Sequence, residues 1–385
     1  MKNKQGNMKS VTILKSTISQ LGGLEKYTLR LADAFCKSGC DVTLLTSGDV
    51  PKDKIYPSIR VHSYSCKNKL SLLKIKEFET FCHNFMHQKP SEVIFGLDRN
   101  KIQTHIRAGN GVHAAYLERR KLSEGLLKSL SFKINPLHRS ILSIEKQSFE
   151  NPNLKFLFTN SHMVKNEILS HYNVDPKKIC VIHNGVEWSE MQDAFQSTFD
   201  AKFNLAKELG LDPQIHQFLF IGNNYGRKGL KELLLALSLM KHQEFHLSII
   251  GYDKNADLYK QFANQLGLRK KVTFFGQRKD MIKFYQVADT LVAPSHYDPF
   301  ANVTVEALSM GLFIVTSKFN GASEVLTKES GKIIEKLTDP ESFQLQLQLA
   351  MDHPKTPIGS QKIRSSVQHL DFPNQLTKMV EKTLK

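Results

Sequence analysis

Short apolar runs alternate with helix-length amphipathic segments along most of the chain. In the first half, the apolar runs at residues 11–14 and 41–46 predict strands, and the segment between them predicts a helix at residues 24–37. Further strands are predicted at residues 60–63, 92–96, 155–159 and 179–182. Strands that alternate with helices are typical of βαβ units, which build a parallel sheet. The first half is therefore predicted to be a doubly wound α/β domain.

The same alternation starts again in the second half. Strands are predicted at residues 218–221, 247–250, 272–275, 287–293 and 312–316, with helices at 230–240, 257–266 and 302–310. A polar segment up to about residue 200 predicts a connector between the two halves. We therefore expect one domain at residues 1–185 and a second at 186–359. The remaining residues, 360–385, are predicted to be largely helical and to pack back on the first domain.

A glycine-rich loop follows the first strand of the second half. Gly222, Gly226 and Gly229 lie between a strand and a helix, where glycines let the backbone approach a diphosphate closely. Arg227 and Lys228 add two cations to this loop, and together they can neutralise a diphosphate. The spacing matches neither the dinucleotide fingerprint nor the P-loop. An ordinary surface turn remains the alternative interpretation.

The segment at residues 295–311 carries the strongest chemical pattern. Asp298 precedes a predicted helix whose first N–H groups, around Asn302, are oriented to receive a phosphate. Asp298 and Glu306 are acceptor-only groups on either side of that anion site, and such groups suit hydroxyls. A phosphate flanked by hydroxyl groups describes a nucleotide sugar. The alternative is that both acids only complement the helix dipole.

The first half offers weaker candidates. Gly22 and Gly23 lie at the carboxyl end of the first predicted strand, where backbone can approach a ligand, although a plain turn also explains them. His113 follows two glycines at a loop-to-helix junction and is predicted either to face a crevice or to be a structural histidine.

Charge is unevenly distributed along the 385 residues. Residues 1–185 hold 29 Lys+Arg against 15 Asp+Glu, a balance of +14, whereas residues 186–385 hold 24 against 22, a balance of +2, which together give the net charge of +16. Basic residues alternate with apolar ones near residues 67–76 and 119–147, a pattern typical of helices on an acidic membrane surface. A solvated basic helix face is the alternative. Nucleic acid is not predicted as a partner, because no reading motif accompanies the charge.

Composition points to a cytoplasmic protein. The chain lacks a run of eighteen apolar residues, and its polar start lacks the apolar region of a signal peptide. The five cysteines are scattered without a metal-ligand spacing, which favours reduced thiols.

Taken together, the motifs resemble glycosyltransferase family 4, the retaining enzymes of the GT-B fold. The resemblance rests on Gly22-Gly23 near the start, Asn184-Gly185-Val186 at the junction, the Gly226–Gly229 loop, and an acid with a glutamate eight positions later. Residues 221–230 and 109–120 look most like the lipopolysaccharide core glucosyltransferase I branch. The resemblance covers nearly the whole chain and implies two Rossmann-like domains that face each other across a cleft.

The resemblance also implies roles for individual residues. Arg227 and Lys228 would hold the donor diphosphate, Glu306 the ribose, and Asp298 the hydroxyls of the transferred sugar. Backbone around Ala301, Asn302 and Val303 would assist, Gly22 and Gly23 would line the cleft between donor and acceptor, and His113 would contact the donor sugar. Gly222 and Arg278 are further predicted binding residues because they follow strands whose carboxyl ends share one edge of the sheet. Two positions depart from the pattern of many members: Asp298 stands where a glutamate is common, and Ala301 where a glycine is common. Both departures bear on the identity of the sugar.

The implied reaction is retaining transfer of a hexose, with glucose expected, from a UDP-sugar to a membrane-associated glycan or glycolipid such as lipopolysaccharide core. The enzyme would work at the inner face of the cytoplasmic membrane. It would not need a metal ion, because the chain has no Asp-x-Asp motif and the cations of the glycine-rich loop would take the place of Mg²⁺. A GDP-mannose-type donor stays open. So do two other classes, a non-catalytic membrane-binding scaffold and a nicotinamide-dependent oxidoreductase, although the latter requires a glycine fingerprint that the chain lacks.

Overall fold

In a computed structural model, the chain forms two compact units. The structure describes residues 8–18, 23–48, 57–123, 132 and 134–385. The first unit comprises the described residues up to Ile182 together with Gln375–Lys385, and the second comprises His183–Asn374. The sequence-based boundary lay three residues later, at 185, and the return to the first unit was predicted from about residue 360.

The first unit is built on a seven-stranded sheet in which every pairing is parallel. Its strands are β1 (Ser10–Thr17), β2 (Asp41–Ser47), β3 (Ile59–Tyr64), β4 (Val93–Gly96), β5 (His105–Arg107), β6 (Phe156–Thr159) and β7 (Ile179–Val181). They lie in the order β3-β2-β1-β4-β5-β6-β7. Central strands such as β1 and β2 are almost continuously buried, as expected for a sheet covered by helices on both faces.

Helices connect these strands and cover the sheet. They are α1 (Gly23–Lys37), α2 (Ser71–Gln88), α3 (His113–Ser123), α4 (Pro136–Phe149) and α5 (His162–His171). The helix α2 packs Phe78 and Cys82 against Leu14 and Leu45 of the sheet. Gly39, which ends the turn after α1, has a φ of +79°, a value that favours glycine.

The second unit repeats this plan with a six-stranded parallel sheet. Its strands are β8 (His216–Ile221), β9 (Phe245–Ile250), β10 (Val272–Gly276), β11 (Thr290–Ala293), β12 (Phe313–Ser317) and β13 (Gly331–Ile334), in the order β10-β9-β8-β11-β12-β13. Its helices are α6 (Gln192–Gln196), α7 (Thr198–Glu208), α8 (Leu230–Ser238), α9 (Ala256–Gln265), α10 (Met281–Val287), α11 (Asn302–Ser309), α12 (Pro340–Met351) and α13 (Pro357–Ser366). The last helix, α14 (Phe372–Leu384), carries the chain back to the first unit.

The predicted α/β class with two doubly wound sheets is confirmed, but some elements differ. The strand β5 was not predicted, because its three residues include His105 and Arg107 and lack an apolar run. The predicted connector up to residue 200 is largely helical, since α6 and α7 bury Phe195 and Thr198. The run at 287–293 begins as the end of α10 and becomes a strand only at Thr290.

The strand order locates one point in each sheet where a ligand is expected. In the second sheet, consecutive strands run outward from β8 in one direction and from β11 in the other. Ligands of open α/β sheets bind at the carboxyl ends of the strands on either side of such a switch. The loops after β8 and β11 therefore define the candidate site.

The two basic stretches are only partly helical. Residues 67–70 precede α2 in a non-helical conformation. Leu70, just before the helix, and Lys74 and Lys76, in its first turns, are exposed. The second stretch includes the end of α3 and most of α4, but its residues 124–131 and 133 lie outside the described residues. Within the described ranges, no helix has the length and apolarity that crossing a bilayer requires.

Candidate active site

The glycine-rich loop after β8 folds closely over the neighbouring strand ends. A Cβ on Gly229 would lie 1.9 Å from the carbonyl oxygen of Pro294, so only glycine permits the contact between the loops after β8 and β11. The φ of Gly229, +78°, is also one that favours glycine. At Gly222, a Cβ would come within 2.8 Å of the side chain of Lys228, so this glycine leaves room for the lysine to lie across the loop.

The two loop cations converge on one carboxylate. Lys228 Nζ lies 2.7 Å from Asp298 Oδ2, and Arg227 Nη1 lies 3.4 Å from the same oxygen. Arg227 also donates to the carbonyl oxygen of Tyr297 at 3.0 Å. The side chains of Lys228 and Asp298 are 14% and 10% exposed, so this pair is well shielded from water and little screened by it. Two cations on one carboxylate leave the cluster with an excess positive charge.

A buried asparagine fixes the loop that carries Asp298. The side-chain oxygen of Asn320 accepts hydrogen bonds from the N–H groups of Ala301 and Ala322, and its amide nitrogen donates to Thr304 and Thr316. These bonds satisfy both the oxygen and the nitrogen of the fully buried side-chain amide. Asn320 was not singled out from the sequence, because no local pattern reveals that its side chain joins Ala301 and α11 to β12.

The helix α11 begins directly after this loop. Its N-cap is Ala301, whose side chain cannot cap, while Asp298 Oδ1 accepts from the N–H of Phe300 at 3.3 Å. The first N–H groups of a helix have no acceptor inside the helix, and they carry the positive end of its dipole. Asn302 and Val303 supply these groups beside Asp298. Asn184 of the predicted junction motif donates to the side-chain oxygen of Asn302 at 2.7 Å.

Glu306 lies one turn further along α11. Its Oε2 atom accepts a 2.6 Å hydrogen bond from the hydroxyl of Tyr285, which is buried in α10. Burial, and then the negative charge of Glu306, hold the pKa of Tyr285 well above its ordinary value. The tyrosine therefore stays protonated and donates to the carboxylate at every physiological pH.

Arg278 does not join this cluster. It forms a bidentate ion pair with Asp280, at 2.9 and 2.7 Å, and lies over the ring of Phe284. The structure thus brings together the loop from Gly222 to Lys228, Asp298 and the start of α11, but pairs Arg278 locally.

The carboxyl edge of the first sheet has its own polar cluster. Asp98, after β4, accepts from Lys15 Nζ at 3.1 Å and from the backbone N–H and the hydroxyl of Ser16 on β1. Of the two predicted glycines near this edge, Gly22 lies outside the described residues and Gly23 is the first residue of α1.

His113 is a buried residue at the start of α3. Its N–H donates to both carboxylate oxygens of Glu145, at 2.8 and 3.0 Å, and its ring Nε2 lies 3.0 Å from Nδ1 of His138. Burial, reinforced by the charge of Arg99 and by His138 and Arg120, lowers the pKa of His113 to about 4. His113 is therefore a neutral imidazole near pH 7, able to form hydrogen bonds without bringing a charge.

Among the residues that the structure describes, no three His, Cys, Asp or Glu side chains are arranged to hold a metal ion.

Two family models match successive parts of the chain. Residues 21–190 match the model described as Glycosyltransferase Family 4, and residues 202–361 match that described as Glycosyl transferases group 1. Together, the two models extend over both units and include every residue of the cluster around Asp298.

Individual proteins resemble the chain to different extents. An uncharacterized glycosyltransferase, MJ1607 of Methanocaldococcus jannaschii, is 30% identical over 190 residues, which is 49% of this chain and 48% of that protein. The lipopolysaccharide glucosyltransferase WaaG of Escherichia coli K12 is 22% identical over 344 residues, 86% of each protein. The chain thus spans about half the length of the first relative but most of the second.

Solved structures share the fold over nearly the whole chain. The crystal structure of WaaG, a glycosyltransferase involved in lipopolysaccharide biosynthesis, superposes with a TM-score of 0.77 at 20% identity, covering 96% of this chain and 98% of that one. Anabaena Alr3699/HepE in complex with UDP superposes with a TM-score of 0.69 at 16% identity, covering 98% and 99%. At such identities the likeness establishes the two-domain α/β architecture.

Proposed function

This chain belongs to the GT-B glycosyltransferases of the group 1 and family 4 type, and from this premise we propose that it moves a hexose, glucose, from a UDP-sugar to a membrane-associated glycan or glycolipid. The acceptor that we propose is lipopolysaccharide core, as the resemblance to WaaG suggests. The single observation that carries the proposal is the pair of loop cations, Arg227 and Lys228, gathered beside a helix N-terminus at the switch point of the second sheet.

The diphosphate would bind where these groups meet. Arg227 can hold two oxygens through its planar fork, Lys228 supplies a compact charge, and the N–H groups of Asn302 and Val303 add uncharged donors. As the bond from the anomeric carbon to the diphosphate breaks, negative charge grows on the leaving group, and these donors stabilise it. The same binding mode would need the backbone at Gly222 to approach the diphosphate closely.

The two acids would bind hydroxyl groups on either side of the diphosphate. Glu306 would accept from the ribose, and Asp298 from the transferred sugar once the diphosphate takes over its cations. Because Asp298 is one methylene shorter than glutamate, its reach toward the sugar is reduced. His113, as a neutral imidazole, would donate to or accept from the donor sugar, and the acceptor hydroxyl would attack the face that the diphosphate leaves, with retention of configuration.

We further propose that the reaction does not need a metal. The excess positive charge at Asp298 can compensate the diphosphate in the way that Mg²⁺ does in other sites. Association with the inner face of the membrane would use the basic stretches, of which the exposed lysines around Leu70 are a described part.

Thermal unfolding in the presence of EDTA tests donor class and metal need together. UDP, GDP, ADP and NAD would each be added at about one hundred times the dissociation constant, which adds about 2.7 kcal/mol to the stability. We expect UDP alone to raise the midpoint by a few degrees. A shift with GDP would replace the donor by a mannose-type one. The transferase proposal would be contradicted if NAD alone raised the midpoint, or if none of the nucleotides raised it.

A further inference from the structure

We propose that Tyr285 is a positioning residue for nucleotide recognition: it holds the Glu306 carboxylate in the orientation that binds the ribose. This inference rests on the proposed function, in which Glu306 accepts from the ribose hydroxyls. Tyr285 belongs to no motif that the sequence suggested, and it acts on the ligand only through Glu306.

The geometry of the contact supports this role. The 2.6 Å distance between the Tyr285 hydroxyl and Glu306 Oε2 is that of a charge-assisted hydrogen bond, the strong kind in proteins. A carboxylate offers about four acceptor positions on its two oxygens, and the Tyr285 hydroxyl occupies only one of them. By donating to Oε2, Tyr285 limits the rotation of the Glu306 carboxylate.

Tyr285 is itself held from several directions. Its side chain is 2% exposed and packs in the core cluster that includes Leu291, Val305 and Ala307. Lys355 Nζ donates to the Tyr285 carbonyl oxygen at 2.7 Å, which ties the end of α10 to the loop before α13. A buried donor with a fixed backbone is pre-organised, so the ligand does not have to order it on binding.

A ligand pair separates positioning from simple support of the fold. The dissociation constants of UDP and of 2′,3′-dideoxyuridine diphosphate would be measured for the native protein, Tyr285→Phe, Glu306→Gln and the double variant. The ratio of the two constants reports only the ribose hydroxyls, since the base and the diphosphate are common to both ligands. A variant that merely loosens the fold weakens both ligands and leaves the ratio unchanged.

We expect the native protein to prefer UDP, and Tyr285→Phe to reduce that preference by about tenfold, the usual size for a hydrogen bond to a charged group. Glu306→Gln should reduce it at least as much, and the double variant no further than Glu306→Gln alone, because both residues act on one contact. Tyr172→Phe is the matched control: it removes a 2.8 Å hydrogen bond from a tyrosine to Glu145 in the first unit, and should leave the ratio unchanged.

The outcomes separate failure of the positioning role from failure of the ribose assignment. If Glu306→Gln abolishes the preference but Tyr285→Phe keeps it in full, the positioning role is wrong and the ribose assignment stands. If Glu306→Gln keeps the preference, or the native protein binds neither uridine nucleotide, the ribose assignment fails and the inference fails with it.

Discussion

The two sheets of this protein share a topology but present different charges at their carboxyl edges. In the second unit, Lys228 and Arg227 share the single carboxylate of Asp298 beside the start of α11. In the first unit, Lys15 pairs with Asp98, and Arg99 pairs with Glu145, so each of these carboxylates has one cation among the residues that the structure describes. The first arrangement suits a diphosphate, and the second suits a ligand that offers hydroxyl groups.

This difference is opposite to the distribution of charge along the sequence. Residues 1–185 carry a balance of +14 and residues 186–385 only +2, yet the cluster with excess positive charge lies in the less basic half. Net charge describes the long-range electric field of a domain. A phosphate site depends instead on a few cations whose charge is not fully neutralised by neighbouring carboxylates. Four predictions test how far the two units differ.

The largest effect is expected at Lys228. Lys228→Ala should lower turnover by a factor of about 10² to 10³, because one donor to the developing charge is worth roughly 3 kcal/mol. Steady-state kinetics with a UDP-sugar would measure the change, with thermal unfolding to show that the fold is retained. The exposed Lys231, three positions further on, supplies the control Lys231→Ala. Turnover that stays at the native rate in Lys228→Ala would remove the diphosphate from this edge.

The next effect concerns the pH dependence of the free energy of unfolding. One buried histidine in each unit should contribute to it by a similar amount. Burial is the main cause that lowers the pKa of His113 in the first unit and of His246 in the second to about 4. The unfolded chain binds a proton near the ordinary histidine pKa of about 6.5, so each histidine stabilises the native state above that pH, and the stability is lost as the pH falls toward 4. The loss is on the order of 3 kcal/mol for each histidine.

Denaturant unfolding at several pH values between 7.5 and 4 would measure this dependence. His113→Gln and His246→Gln should each flatten the curve, by similar amounts. A native protein whose stability is constant over this interval would show that these imidazoles bind protons equally in the folded and the unfolded chain.

A smaller and oppositely directed effect is expected at Asp298. Asp298→Asn should bind UDP about tenfold more tightly, because a carboxylate that competes for both cations and repels the diphosphate is removed. Turnover should fall, since the transferred sugar loses its acceptor. Asp98→Asn in the first unit is the matched change and should leave the affinity for UDP as it is. Weaker binding by Asp298→Asn would mean that this residue chiefly holds Arg227 and Lys228 in place.

The sequence predicted those parts of the site that depend on local pattern. A glycine-rich loop between a strand and a helix, and an acid before the next helix, both lie at strand ends, so the parallel topology is enough to bring Lys228 and Asp298 together. Glu306 was singled out because it lies near the start of the helix that follows the same loop, and its role in binding stays a prediction. These residues needed no knowledge of long-range packing.

The remaining features depend on contacts between distant segments. The bonds that Asn320 makes to Ala301, and the bond from Tyr285 to Glu306, leave no signature in local composition. Arg278 was predicted as a binding residue from its place after a strand; Asp280, two residues later, competes for it through a bidentate pair, and its role in binding stays a prediction. Predicting that competition requires the backbone geometry of the turn.

The smallest expected effect tests whether the surplus positive charge of the first unit attracts the protein to an anionic membrane. Lys74 is an exposed residue near the start of α2, and Lys74→Gln should weaken binding to vesicles of anionic phospholipid by about fivefold, since one basic residue at such a surface contributes about 1 kcal/mol. Lys270→Gln makes the same change at an exposed position of the second unit and should have no effect. Cosedimentation at low and high salt would measure both variants, because the contribution of Lys74 should vanish as salt screens it. Equal effects of the two substitutions would assign membrane attraction to the net charge of the whole protein, and the two units would then differ only in their carboxyl edges.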